Sequence, residues 1–122
     1  MNDLIGLEYK WGSKPSDGEG FTDCFQLSCE VRQRLGMFNY ASMYQWVYDR
    51  YTEHSLPNRR LMRFLLESGK RKAEPVVGAM ALFLGERAAL GTVTSHGIVY
   101  IAPGGRVAHS PLCGAYYFEM NK

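Results

Sequence analysis

The hydrophobic period of this chain changes once, near residue 75, and the change restricts the folds open to it. Upstream, apolar residues recur at helical spacing. Cys24, Leu27, Val31 and Leu35 lie at offsets 0, 3, 7 and 11 and share one helix face. Thr22 or Asp23 can cap that helix, and Gly36 can end it. Tyr40, Met43, Tyr44, Val47, Tyr48 and Tyr51 continue the pattern as a second helix up to "HSLPN", and Leu61, Phe64 and Leu65 mark a short third one. Downstream the pattern is that of strands. "PVVGAMALFLG" predicts one, "GTVTSHGIVYIAPGGRVAHS" two around a Pro-Gly-Gly turn, and "GAYYFEM" the last. Helices first and strands second is the α+β order: amino-terminal helices packed on a carboxy-terminal antiparallel sheet.

The length of 122 residues suits one domain, spanning 1–122, with one modest core. A hydrophobic content of 46% argues against global disorder. The net charge of +2 gives no reason to expect a nucleic-acid partner. The basic run "GKRKAE", residues 69–74, reads as a solvated loop or helix end. The longest apolar run, "VVGAMALFLG", is too short to cross a membrane as a helix, so no membrane insertion is expected. The start "MNDLIGLEYKWGSK" lacks the shape of a signal peptide, which predicts cytoplasmic synthesis without a leader. The three cysteines, Cys24, Cys29 and Cys113, are an odd set, and a reducing compartment is the simpler reading.

Cys24 follows a loop rich in glycine, proline and aspartate, "GSKPSDGEGFTD", and opens the first helix. Free N–H groups and the helix dipole favour a thiolate there. A thiol nucleophile needs a base, and the chain has three histidines: His54 in the polar stretch "YTEHSLPN", and His96 and His109 flanking the Pro-Gly-Gly hairpin. A loop of two or four residues would set His109 opposite Ile98, diagonal to His96 on one face; a three-residue loop would separate their faces. In the catalytic reading His96 takes the Cys24 proton and returns it to a leaving amine, while His109 orients the imidazole. The Cys24 N–H would meet the oxyanion, with Tyr9 as a second donor if the glycine loop folds back. The plainer readings are an inert core cysteine and two ordinary polar histidines. A zinc site of Cys24, His96 and His109 is a further alternative.

The order "YKWG", "GFTDC", "SHGIVYI", "VAHS" resembles the NlpC/P60 family of papain-like cysteine peptidases, from Tyr9 to about Ser110. That family carries a "Y-x-x-G-G" segment, a "D-C-S-G-L-V" helix start, a "H-V-G-I-Y" strand and a later "H-A". The resemblance implies Cys24 as nucleophile, His96 as base, His109 as orienting residue and Tyr9 as a pocket tyrosine, with Asp23 beside the nucleophile. Trp11, Phe25 and Gln26 would shape the substrate pocket. The chain departs from the pattern at Ser13, at Phe25-Gln26 and at Ala79, and "HGIV" is one residue shorter than "HVGI". The implied activity is a cysteine endopeptidase or amidase that hydrolyses peptidoglycan stem peptides through a thioester, without a cofactor or metal. "DCFQLSCEVRQRLG" also looks like phage tail-associated members, which implies virion association or delivery to the cell wall, with phage tail proteins as partners. The alternative is a catalytically inactive structural or binding protein of a phage tail with the same fold.

"YASMYQWVYDRY" reads first as an aromatic core helix; a second role for Tyr44, Trp46 or Tyr48 is one wall of the cleft. Arg59, Arg60 and Arg63 solvate a helix or attract an anionic peptide.

Overall fold

A computed structural model describes residues 1–84, 89–111 and 115–122. Cys113 lies outside the described residues, as do Gly85 and Gly114, the end residues of two expected strands. The architecture is α+β, with the amino-terminal helices packed against a carboxy-terminal antiparallel sheet. The helices are α1 (Cys24–Arg34), α2 (Gln45–Arg50) and α3 (Asn58–Ser68). A short parallel pair, β1 (Glu8–Tyr9) with β2 (Phe21–Thr22), precedes them. The main sheet contains β3 (Gly69–Lys72), β4 (Met80–Phe83), β5 (Ala89–Thr94), β6 (Gly97–Ile101), β7 (Val107–Ser110) and β8 (Tyr116–Met120). Its order is β3-β8-β4-β5-β6-β7.

α1 forms where its periodicity and caps predict it. Asp23 Oδ1 accepts the N–H of Gln26 at 2.8 Å, the N-cap bond. Gly36, at φ +78°, gives the left-handed residue that ends the helix. The helix lies along β5 and β6 and is buried on two sides. Leu27 and Val31 pack with Leu4, Val99 and Val107; Cys29 packs with Phe64, Leu82, Leu90 and Phe118. Each fully buried leucine or valine contributes roughly 2 kcal/mol against exposure. Arg32, 2% exposed, is the largest fully enclosed side chain. Its guanidinium donates to the carbonyls of Gly78 (2.6 Å), Phe38 (3.2 Å) and Lys122, and it stacks on Tyr40.

Four expectations change. The basic run 69–74 is not loop or helix end: residues 69–72 are the edge strand β3, paired to β8 with Lys70, Arg71 and Lys72 exposed. Charge on an edge strand discourages further strand pairing. "PVVG" is a turn rather than strand, because Gly78 at φ +88° leaves the extended region while Arg32 holds its carbonyl. The hairpin region yields three strands, since Ser95 and His96 make a tight turn between β5 and β6. The aromatic stretch is a 3₁₀ turn (Ala41–Tyr44) followed by the short α2, and it is not a core helix. Tyr40 is buried, but Met43 and Trp46 are exposed and Tyr44 and Tyr48 half-buried. No helix among the described residues is long and apolar enough to cross a membrane.

Candidate active site

The loop from Tyr9 to Asp23 folds back on itself. Tyr9 pairs with Thr22 across β1 and β2, Lys10 N–H donates to Thr22 O at 3.0 Å, and Asp23 N–H donates to Ser13 O at 3.0 Å. Gly12 N–H reaches Asp23 Oδ2 at 3.0 Å. The Tyr48 hydroxyl also bonds this carboxylate. Asp23 thereby joins the loop, α1 and α2 at one buried point. Burial pushes its carboxyl up, against the pull of the N–H groups of Gln26, Gly12 and Phe25 and of the Tyr48 hydroxyl.

This junction seats Cys24 at the first residue of α1, where the helix N–H groups have no partner within the helix. Cys24 is half-buried and lines a pocket of about 410 Å³. Tyr9 and Trp11 come to the same pocket from the loop, as do Asp23 and Phe25 beside the thiol. Tyr44, Trp46 and Tyr48 supply a wall from the α2 region. Trp11 and Tyr48 are in ring contact at 4.9 Å, and Phe25 meets Phe64 edge-on at 5.3 Å. Arg60 stacks over Trp46 at 5.2 Å, and Arg63 and Glu67 complete the charged side on α3. The cleft role of the aromatic stretch, secondary in the sequence, is the one the structure gives it.

The structure does not bring the two expected histidines to this thiol. His96 sits in the β5–β6 turn, where its N–H donates to Thr94 Oγ1 at 3.1 Å. His109 pairs with Val99, not Ile98, because residues 102–106 form an odd-numbered connection between β6 and β7. Arg106 is drawn into a bridge with Glu8 there. The two rings still lie 6.5 Å apart, and His109 Nε2 is 3.1 Å from Thr94 Oγ1. Both histidines are exposed, at the end of β5 farthest from Cys24. The thiol meets the backbone N–H of Leu90, and Thr94 is four residues further along the strand, about 13 Å at 3.3 Å per residue. The expected Cys24–His96–His109 relay is therefore corrected to two separate groups. The same separation removes the zinc alternative, and no group of three His, Cys, Asp or Glu among the described residues is placed to hold a metal.

The histidine that does line the pocket is His54, with Glu53 beside it. Glu53 hydrogen-bonds the Tyr9 side chain, which ties the α2–α3 connection to the folded-back loop. No periodicity announces this, since "YTEHSLPN" is polar and aperiodic. Gln26 is not a wall of this pocket: it faces a second hollow beside Lys14, Asn39 and Ala41, while its backbone N–H serves the Asp23 cap.

Electrostatically the site holds its protons. Burial, then the Asp23 charge, push the Cys24 thiol up to about 11, against the pull of backbone N–H groups of Leu90, Cys24 and Phe25. Burial also raises Tyr9 and Tyr48, with Glu53 next for Tyr9 and Asp23 next for Tyr48. Cys29, enclosed in the core, is pushed up to about 12 by burial and is positioned to be inert. Cys24 is thus a thiol that keeps its proton at neutral pH unless a base takes it.

Fold and site together define an α+β protein with a thiol at the floor of an aromatic pocket. Compared with known proteins, the chain matches no family model, no curated protein and no solved structure.

Proposed function

We propose that the protein is a thiol-dependent amide hydrolase, a cysteine endopeptidase or amidase of papain-like, NlpC/P60 type. The single observation behind this is that Cys24, at the start of a capped helix, opens on an aromatic pocket that also holds Tyr9 and an imidazole. Sγ attacks the amide carbon, the C–N bond breaks, and water hydrolyses the resulting thioester. The sequence resemblance supplies the substrate class, peptidoglycan stem peptides. Arg60 and Arg63 on one wall suit the carboxylates such peptides carry. The test is hydrolysis of purified wall fragments by the wild type and Cys24→Ala. The expected outcome is turnover that falls at least about 10³-fold in the variant, on the order of 4 kcal/mol of barrier. Equal turnover by the two proteins overturns the proposal.

A second reading is a binding protein, of the phage-tail kind the resemblance implies, that uses the same pocket without turnover. It is favoured by the protonated state in which burial holds Cys24 and by the distance of His96 and His109. Its signature is saturable binding of wall fragments that Cys24→Ala retains, with no hydrolysis by either protein.

A further inference from the structure

The sequence resemblance assigns the base to His96, and the structure leaves that residue at the wrong end of the sheet. What else can accept the Cys24 proton? The ionisable groups that share the pocket with the thiol are three carboxylates (Asp23, Glu53, Glu67), three tyrosines (Tyr9, Tyr44, Tyr48), Arg60, Arg63 and His54. The arginines are permanent cations and cannot accept a proton. Tyr9 and Tyr48 are held protonated, and the Tyr44 hydroxyl is engaged with Ser68 Oγ at 3.2 Å. Asp23 is engaged by Gly12 N–H, Gln26 N–H and the Tyr48 hydroxyl. Glu53 accepts from Tyr9, and Glu67 pairs with Arg63 at 2.9 Å. A carboxylate is in any case several units too acidic to draw a proton from a thiol. His54 supplies an imidazole, whose ring nitrogen can both accept and return a proton.

The connection that carries His54 is built rather than loose. Thr52 N–H donates to Ser55 Oγ at 2.7 Å, and the N–H groups of Ser55 and Leu56 return to Thr52 O at 3.2 Å. Pro57 then leads into α3. The Glu53–Tyr9 bond fastens the turn to the same loop that positions Cys24. His54 is exposed on its outer side and lines the pocket on the other.

We infer that His54 is the general base for Cys24, so that the catalytic pair spans the α1 start and the α2–α3 connection instead of the α1 start and the sheet. This rests on the hydrolase reading above. In the forward step a ring nitrogen of His54 takes the Sγ proton as sulfur bonds to the amide carbon. The imidazolium then protonates the departing amine as the C–N bond breaks. In the second half the neutral ring takes a proton from water, whose oxygen displaces Sγ from the thioester, and the proton returns to sulfur. No oxidant, metal or co-reactant enters the balance.

The test is the rate of Cys24 alkylation by iodoacetamide between pH 5 and 11, followed by mass spectrometry, alongside hydrolysis of wall fragments. His54→Gln, His96→Gln and wild type are compared, with Cys24→Ala as the labelling blank. The wild type is expected to show a further inflection at lower pH as well as the alkaline limb of the thiol. His54→Gln is expected to lose the first, keep the second, and turn over fragments at least about 10²-fold more slowly. His96→Gln is expected to match the wild type. Superimposable profiles for wild type and His54→Gln overturn the inference, as does an inflection that disappears in His96→Gln instead. An inflection that depends on His54 while wall fragments stay intact upholds the pair and overturns only the substrate assignment.

Discussion

The two ends of α1 bury opposite charges for opposite purposes. At its carboxy-terminal end Arg32 spends its donors on backbone carbonyls, from Gly78 before β4, Phe38 after the helix and Lys122 beyond β8. At its amino-terminal end Asp23 collects N–H groups from Gly12 and Gln26, and the next residue is a thiol facing a cavity. Both charges are nearly inaccessible, at 2% each. The Arg32 end is closed over by chain and can only hold the fold together. The Asp23 end is also held together, but around a space. The histidine pair lies level with the closed end, since Gly78, which Arg32 grips, is bonded to Val93 next to Thr94. Burial of a charge alone therefore does not distinguish the two ends; the cavity beside Asp23 does.

The closed end gives the largest stability prediction. Replacing Arg32 by Met keeps much of the side-chain volume and leaves the Gly78, Phe38 and Lys122 carbonyls without their donor. Unpaired buried acceptors cost about 1–3 kcal/mol each, partly relieved by water at the Lys122 side. Arg32→Met should lower the unfolding free energy by about 3 kcal/mol in a urea titration, while Cys24 in the remaining folded fraction alkylates at the wild-type rate. A loss below about 1 kcal/mol, or a changed alkylation rate, would show that the two ends are not the independent regions described.

At the open end, Asp23→Asn keeps the shape and removes the charge. An amide has a single carbonyl oxygen, so either the Gly12 or the Gln26 N–H, which now reach different carboxylate oxygens, loses its acceptor, a cost of about 1 kcal/mol. Its effect on the thiol should be clearer. The Asp23 charge is the second cause that raises Cys24, so the thiol in Asp23→Asn should titrate below 11 and alkylate faster at pH 9. The pH dependence of stability follows with a definite sign. The folded state keeps the Cys24 proton to about 11, whereas an exposed thiol releases it near 9. The stability contributed by this group is present below pH 9 and is lost as pH rises from 9 to 11. Thermal unfolding across that window should show a slope that Cys24→Ser reduces; an unchanged slope would mean that the sulfur is not buried as described.

The contrast also separates what periodicity can and cannot reveal. α1, its cap and its stop were legible, because Leu27 and Val31 recur on one face and Asp23 and Gly36 are residues that helix ends select. The sheet was legible as a class but not in register. A turn of Ser95-His96 is chosen by Thr94 Oγ1 and by Gly97 at φ +134°, where a side chain would strike Ser110 O at 2.1 Å. Neither interaction is visible as alternation. Within the site, Tyr9, Trp11, Asp23, Cys24 and Phe25 line one pocket, and all are within sixteen residues of one another in the chain. His54 did not stand out, because the bond that brings its turn to the pocket joins Glu53 to a tyrosine more than forty residues earlier. Pairings of that length leave no local pattern in a single sequence.

The smallest expected effect belongs to the histidine pair itself. His109 is exposed and contributes one side-chain bond, to Thr94 Oγ1, which also accepts the His96 N–H and donates to Gly97 O at 3.1 Å. The turn therefore keeps its own closure when His109 is removed. His109→Ala should cost less than about 0.5 kcal/mol, the level of a surface substitution. Thr94→Val deletes the hydroxyl that all three bonds share and should cost about 1–2 kcal/mol. Neither change should move the Cys24 alkylation profile, because the turn and the thiol of α1 lie at opposite ends of β5. If His109→Ala instead slows alkylation several-fold, the far end of the sheet communicates with the pocket, and the division of the molecule into a closed end and an open end fails.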